Sequence, residues 1–283
     1  MKTKIACLFS CLFTACLSYA QLSAVEYKSK LFDQFKASKT YILMTGNAKY
    51  DSELQSAVKD LWKITPYEFI GGSEFDAKVS DKSASFLFLV DISVGSYGQQ
   101  YNYMALMNGG KKSLSKYNYA DLIAYCPINY FHNEPKNVDC AYRVRNMVAS
   151  MLQSMEIVQK NDLKGNSLKI AKQLQEIYNA KAKNISKRTL LVCQENIGSK
   201  LSKSDIAGVY PYKFEMCSKE KIEQAIKDKS TDYYYFQAAV TMNKSMFVFD
   251  PSNGEVLYFD FTVGGMDVKK SHFEDMVEAI KGK

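Results

Sequence analysis

Short apolar runs alternate along the chain with stretches whose apolar residues recur every three or four positions. Residues 41–44, 67–70 and 85–91 are runs of strand length. The unbroken apolar segment 86–90 suits a strand covered on both faces. Between the first two runs, Leu54, Ala57, Val58, Leu61 and Trp62 form one helical stripe, with Asp51 or Ser52 placed to cap it. Thr65 and Pro66 end that stripe, because proline lacks a donor and restricts its neighbour. Residues 22–37 predict a lead-in helix and 73–82 a short one. Residues 101–107 and 119–126 predict two strands about Asn108, Gly109 and Gly110. The strongest stripe follows: Val144, Met147, Val148, Met151, Leu152, Met155 and Val158, a methionine-rich face that reads as core.

The pattern then starts again. Leu168, Ala171, Leu174 and Tyr178 predict a helix, 189–193 a strand, 201–209 a short helix and 212–216 a strand. Ser218 caps a helix with Ile222, Ala225 and Ile226, and 233–241 is a further strand. Residues 246–249 and 256–261 form a hairpin around Asn253 and Gly254, which supply the backbone conformations of a tight turn. Ser271 and Glu274 form a capping box for a last helix carrying Phe273, Met276, Val277 and Ile280.

Each half thus reads helix–β–α–β–α–β–β–β–α. Two phrases recur in the same order. Pro66-Tyr67-Glu68-Phe69 returns as Pro211-Tyr212-Lys213-Phe214, 145 residues later, and Asp81-Lys82-Ser83 returns as Asp228-Lys229-Ser230, 147 residues later. The expected fold is α/β: two tandem duplicated β-α-β-α-β-β-β-α units, 21–163 and 164–283, with mixed sheets and helices packed on them. The alternating part implies parallel strands with right-handed crossovers, and the closing hairpin adds antiparallel ones.

The first residues stand apart. Lys2 and Lys4, an apolar segment at 5–17, and Ser18-Tyr19-Ala20 have the form of a secretory leader, cleaved after Ala20. The apolar segment is too short to span a bilayer, and no later one is long enough. The expectation is an exported protein, periplasmic or associated with the outer membrane or secreted, with peripheral membrane contact open. Removing the leader lowers the formal net charge from +7 to +5, which is no nucleic-acid footprint. Four cysteines remain: Cys126, Cys140, Cys193 and Cys217. An even number in an exported chain predicts disulfides, and the local pairings Cys126–Cys140 and Cys193–Cys217 tether each unit to itself. Four buried thiols are the alternative.

Candidate chemistry is sparse. Of the two histidines, His272 falls inside the final capping box and reads as exposed. His132 lies between Cys126 and Cys140 at a spacing that matches no standard zinc site. There is no Gly-x-Ser-x-Gly elbow and no phosphate loop. Glu68 and Asp91 sit on or near strands, but a glycosidase pair is defined by a separation that spacing does not give. No cofactor, metal or catalytic residue is assigned. Seven tyrosines occupy 97–131; Tyr97, Tyr101, Tyr103, Tyr117 and Tyr119 are the candidate ligand or partner surface, because tyrosine combines a large apolar body with a polar tip. Alternating tyrosines on a hairpin also simply cover one sheet face. Residues 164–188 hold seven basic residues against Glu176 alone, suited to an anionic polymer or to a solvated helix face.

The β–α–β–α–β run, the hairpin Asp250-Pro251-Ser252-Asn253-Gly254-Glu255-Val256 and the terminal helix resemble the small α/β modules of bacterial envelope proteins. These are the CsgG-like curli-secretion family, the TolB N-terminal domain and the LpoB-type lipoproteins. The resemblance spans roughly residues 186–282 and, more loosely, 38–160. It implies binding or assembly at the cell envelope without catalysis. The expected function is therefore a non-enzymatic exported protein that binds an envelope protein or surface polymer. The alternatives are a carbohydrate or small-ligand module using the tyrosine-rich hairpin, and an unrecognised hydrolase.

Overall fold

The computed structural model describes residues 29–94, 99–117, 121–128, 140–165, 167–240, 243–263 and 267–283. The expected leader, residues 1–20, lies outside the described residues. In the first unit α1 (Ser29–Lys36), β1 (Lys39–Leu43), α2 (Ala48–Leu61), β2 (Tyr67–Ile70), α3 (Gly72–Lys78), β3 (Ala84–Val94), β4 (Gln99–Asn108), β5 (Leu122–Pro127) and α4 (Val144–Lys160) follow in order. The second unit runs α5 (Ser167–Asn179), β6 (Thr189–Cys193), α6 (Gln194–Ile197), α7 (Lys203–Ala207), β7 (Phe214–Cys217), α8 (Lys219–Lys227), β8 (Tyr233–Val240), β9 (Asn243–Phe249), β10 (Val256–Val263) and α9 (Lys270–Ile280).

Each unit builds a five-stranded mixed sheet, and the two sheets share one topology. The orders are β2-β1-β3-β4-β5 and β7-β6-β8-β9-β10. The first three strands of each sheet are parallel and the last two antiparallel. A bulge marks the same rung in both. Met107 faces Leu122 and Leu106 faces Ala124, leaving Ile123 as the extra residue. Phe249 faces Val256 and Val248 faces Tyr258, leaving Leu257 as the extra residue. Bulges bend a strand at a defined place, so a shared bulge position is a structural mark of the duplication.

The recurring phrases turn out to be a poorer marker. Lys39 and Thr189 open the first strand of each sheet, facing Ala84 and Tyr233. In that frame Tyr67 corresponds to Phe214, since Thr40 faces the one and Leu190 the other. The Pro-Tyr-x-Phe copies are therefore two residues out of step, and Pro211-Tyr212 precedes β7 where Pro66-Tyr67 opens β2. A two-residue slip leaves every side chain on its original face, so the apolar pattern alone does not reveal it.

Several helix starts differ from expectation for a local reason. Asn47 caps α2 by accepting from the Tyr50 amide at 3.1 Å. Asp51 instead binds the turn before it, accepting from the Thr45 and Gly46 amides at 2.9 and 2.8 Å. At α9 the cap is Lys269, whose amide donates to Nδ1 of His272 at 2.9 Å.

In the first unit α1 and the C-terminal end of α2 cover the Thr40–Ser85 face, where hydroxyls of Ser38, Ser85, Thr40 and Thr65 bond in series under Trp62. The helix α3 covers the other face through Phe75, 4.9 Å from Phe86. In the second unit α9 takes one face, with Phe273 stacked at 4.9 Å on Phe236, and α8 takes the other with Ile222, Ala225 and Ile226. The two units meet head to tail. The helix layer of the first packs on the Tyr235–Phe249 face of the second sheet, and both belong to one continuous core.

The contrast between α4 and α9 shows what this junction requires. On α9 the buried residues are His272, Phe273, Met276, Val277 and Ile280, one stripe. On α4 burial extends round the helix to Asn146, Ala149, Ser150 and Ser154, since it carries a core on both sides. Small side chains there let the β9–β10 turn approach, and Gly254, at φ +73°, lies directly against Ala149. Opposite charges face each other across α2 and α8, Lys49 with Glu223 at 2.9 Å and Glu53 with Lys227 at 3.5 Å. Among the described residues no helix is long and apolar enough to cross a membrane.

Candidate functional site

A buried polar cluster lies at the head-to-tail junction. Its centre is Arg143, 2 % exposed, at the position just before α4. Its Nη2 donates to the carbonyls of Pro127 and Ile128, both at 3.1 Å. No carboxylate pairs with it among the described residues. A cation at a helix N-terminus opposes the helix dipole, so only the carbonyl fork and its neighbours compensate the charge. Beside it, Tyr142 Oη and Asn196 Nδ2 both donate to Oε1 of Gln237 at 3.1 Å, linking the units. Asn146 donates to Tyr235 Oη at 3.2 Å and to the Asp250 carbonyl at 3.3 Å, while its Oδ1 has no partner. A small cavity of about 10 Å³ among Cys126, Arg143, Ser150, Gln237 and Phe249 has room for about one water.

The four cysteines are found around this junction. The expected disulfides are absent: no bond joins Cys126, Cys140, Cys193 and Cys217. Cys126 and Cys140 lie in the apolar core at 6 % and 0 % exposure. Burial raises the Cys126 thiol, and the Arg143 charge opposes this only in part. Cys193 and Cys217 are different. They face each other as the last rung of the parallel β6–β7 pair. Burial raises both, and the neighbouring Cys193 helps push Cys217 up to about 12. The same rung of the first unit holds Leu43 and Ile70.

Of the candidate tyrosine surface, Tyr103 and Tyr117 have described side chains, and the two part. Tyr103 is 3 % exposed and sits edge-on to Tyr125 at 5.6 Å, so it is core. Tyr117 is half-buried and works as a clamp: its hydroxyl accepts from the Lys111 amide at 3.1 Å and donates to the Val79 carbonyl at 3.3 Å. Tyr101 lies on β4 opposite Ile92, but its side chain, like that of Asp91, and all of Tyr97, Tyr119 and His132 lie outside the described residues. Glu68 is on an edge strand, ion-paired with Lys39 at 2.6 Å. Of the basic run, Lys181 binds Glu255 at 2.5 Å and Arg188 binds Asp250 at 2.9 Å while lying 4.5 Å over the Tyr234 ring; these two hold the β9–β10 turn.

His272 corrects an expectation. It is 4 % exposed, not on the surface, because it closes the α9 cap from inside. Burial, with Lys244 and Lys269 nearby, lowers it from 6.5 to about 4. The neutral form thus belongs to the fold. Stability tied to this group is complete above pH 6.5 and is lost as pH falls towards 4. A fully desolvated group would contribute at most roughly 3 kcal/mol; solvent screening brings this to about 1–2 kcal/mol. Asp260 and Asp275, raised mainly by burial, act in the opposite sense. The His272→Gln variant isolates the histidine, and its urea stability should fall less between pH 6.5 and 4.5 than that of the wild type. Equal slopes would show that His272 does not titrate with folding.

The copies diverge most clearly at the turn before their third strand. In the first unit the chain after β4 folds back over the α3–β3 turn. The Gly110 amide donates to the Val79 carbonyl at 3.0 Å, and a Cβ on Gly109 would stand 2.1 Å from the Asp81 carbonyl. The Gln34 side chain adds a bond to the Lys82 carbonyl at 3.0 Å. In the second unit the β9–β10 turn is short and leads to α4 instead. The α8–β8 turn is left as an open groove of about 520 Å³, lined by Lys221, Gln224, Asp228, Lys229, Asp232 and Tyr233. Lys229 holds a left-handed backbone at φ +49°, a conformation that costs free energy in a non-glycine residue. A cleft of about 160 Å³ shares Lys229 and runs on to Glu53 and Arg145.

Arg143, Asn146 and Gln237 are not among the residues expected from the sequence. One signal for Arg143 was legible: a cation between Tyr142 and Val144, at the head of the most apolar helix. Among the described residues no group of three or more His, Cys, Asp or Glu is placed to hold a metal ion. Compared with known protein families, with curated proteins and with solved structures, the chain has no match.

Proposed function

We propose that this chain is an exported, non-catalytic binding protein of the cell envelope that holds a protein partner in the α8–β8 groove of its second unit. One observation carries the reading. Two copies of one fold differ in that a loop closes this turn in the first and leaves it open in the second. The lining suits a polypeptide. Lys221 and Lys229 stand beside Asp228 and Asp232, so both signs of charge are offered, as in a polar interface. The Tyr233 ring is already covered by Lys221, 5.2 Å from its centroid, which disfavours a sugar stacking there. The secretory leader and the resemblance to envelope modules support the cellular setting.

The test uses a photo-crosslinking residue placed at Thr231, in the groove, and at Lys183, exposed elsewhere. In intact cells the Thr231 position should give one discrete protein adduct that the Lys183 position does not give. Equal labelling from both positions, or none from Thr231, would contradict the proposal.

A further inference from the structure

We propose that Cys193 and Cys217 form a redox-active dithiol that closes to a disulfide by exchange with small disulfides, while Cys126 and Cys140 do not take part. This inference is independent of the proposed partner. It rests on placement. The two residues are register partners on adjacent parallel strands. Both belong to the junction face, Cys193 within the core and Cys217 packed against it. Adjacent strands lie about 4.8 Å apart, inside the Cα separation of about 4.4–6.8 Å that a disulfide accepts. The first unit fills this rung with Leu43 and Ile70, so the fold itself requires only an apolar pair there. The cysteine pair on the second unit's rung is an added chemical feature.

Accessibility sets the order of events. Cys217 is half-buried while Cys193 is 1 % exposed, so a solution disulfide reaches Cys217 first. Its thiolate attacks one sulfur of RS–SR, an S–S bond to Cys217 forms, and the reagent's own S–S bond breaks. The released RS⁻ takes up the proton that Cys217 gave to solvent. Cys193 then attacks the Cys217 sulfur and expels the second RS⁻, which leaves as RSH. Two thiols are oxidised by two electrons and one disulfide is reduced to two RSH. Burial raises the Cys193 thiol, and the amides of Glu195 and Asn196 and the charge of Lys219 offset this only in part, so Cys193 reacts as the resolving residue once the mixed disulfide holds the Cys217 sulfur beside it. The raised Cys217 thiol makes the first step slow at neutral pH, with a rate rising about tenfold per pH unit. Cys126 and Cys140 are buried beyond reach of the reagent.

The test incubates the folded mature chain with oxidised glutathione, quenches with acid, unfolds, alkylates and maps the thiols by mass spectrometry. The expected product has lost about 2 Da, with Cys193 and Cys217 protected from alkylation and Cys126 and Cys140 labelled. The Cys193→Ala variant should accumulate a glutathione adduct on Cys217, and the Cys217→Ala variant should stay unreacted. A bond between any other pair would overturn the proposal. So would full alkylation of all four cysteines after exposure at pH 8.5, or a wild-type adduct on Cys217 that never resolves.

Discussion

Replacing Arg143 by alanine should destabilise the protein by about 3–5 kcal/mol, more than truncation of any other polar side chain at the junction. Two carbonyls, of Pro127 and Ile128, now accept from its guanidinium in a site closed to water. Truncation takes the guanidinium from both, leaving Pro127 with only the weak Cys126 thiol donor at 3.8 Å, and an unsatisfied buried acceptor costs about 1–3 kcal/mol. It also opens a void beside an existing cavity of about 10 Å³, and the surrounding sheet and helix collapse only partly into such space. The Arg143→Lys variant should recover less than half of the loss, because one ammonium does not reproduce the planar fork. Urea denaturation measures both. A loss under 1 kcal/mol for the alanine variant would mean that the guanidinium is not what satisfies this junction.

Gly254→Ala should cost about 2–4 kcal/mol, an unusual penalty for one methyl group in a turn. Two independent terms add. The residue sits at φ +73°, where a side chain is strained by about 1 kcal/mol or more. Its new Cβ would lie 2.7 Å from the Ala149 Cβ and 3.1 Å from the Asn146 carbonyl, an overpacking worth about 1–3 kcal/mol. The second term can be separated. Combining Gly254→Ala with Ala149→Gly should restore the part due to contact with Ala149 and none of the backbone part. A strictly additive double variant would show that the turn does not bear on α4.

How much of the molecule was legible in the sequence depended on whether a feature is local. The element order of both halves follows from apolar periodicity and turn residues, and the tandem α/β architecture with it. Strand β2 at Tyr67–Ile70 and β6 at Thr189–Cys193 are where the apolar runs place them. The register between copies was not legible, because a two-residue slip in a strand preserves every face. The caps at Asn47 and Lys269 were missed because several short polar residues compete at each helix start and tertiary contact decides among them. His272 reads as exposed from its position in a capping box, yet it is buried because the box itself turns inward.

The candidate sites were the least legible. Arg143, Asn146 and Gln237 come from different elements and meet only when one unit packs on the other. Tyrosines close in sequence separate for the converse reason: alternation along β4 and the loop after it sends Tyr103 into the core and Tyr117 to a clamp. The cysteine pairing shows both sides. Proximity in sequence favoured each local pair, but only Cys193 and Cys217 share a rung.

Two copies of one fold form a single body because α4 serves both cores. The most direct measurement of this coupling follows unfolding in urea with one probe in each unit. Trp62, the chain's single tryptophan, reports the first core by fluorescence, and hydrogen exchange at the β6 and β8 amides reports the second sheet. A shared core predicts one transition, with the same midpoint and the same free energy from both probes. If β6 and β8 exchange through an opening that leaves Trp62 native, the units fold separately and the single body is contradicted.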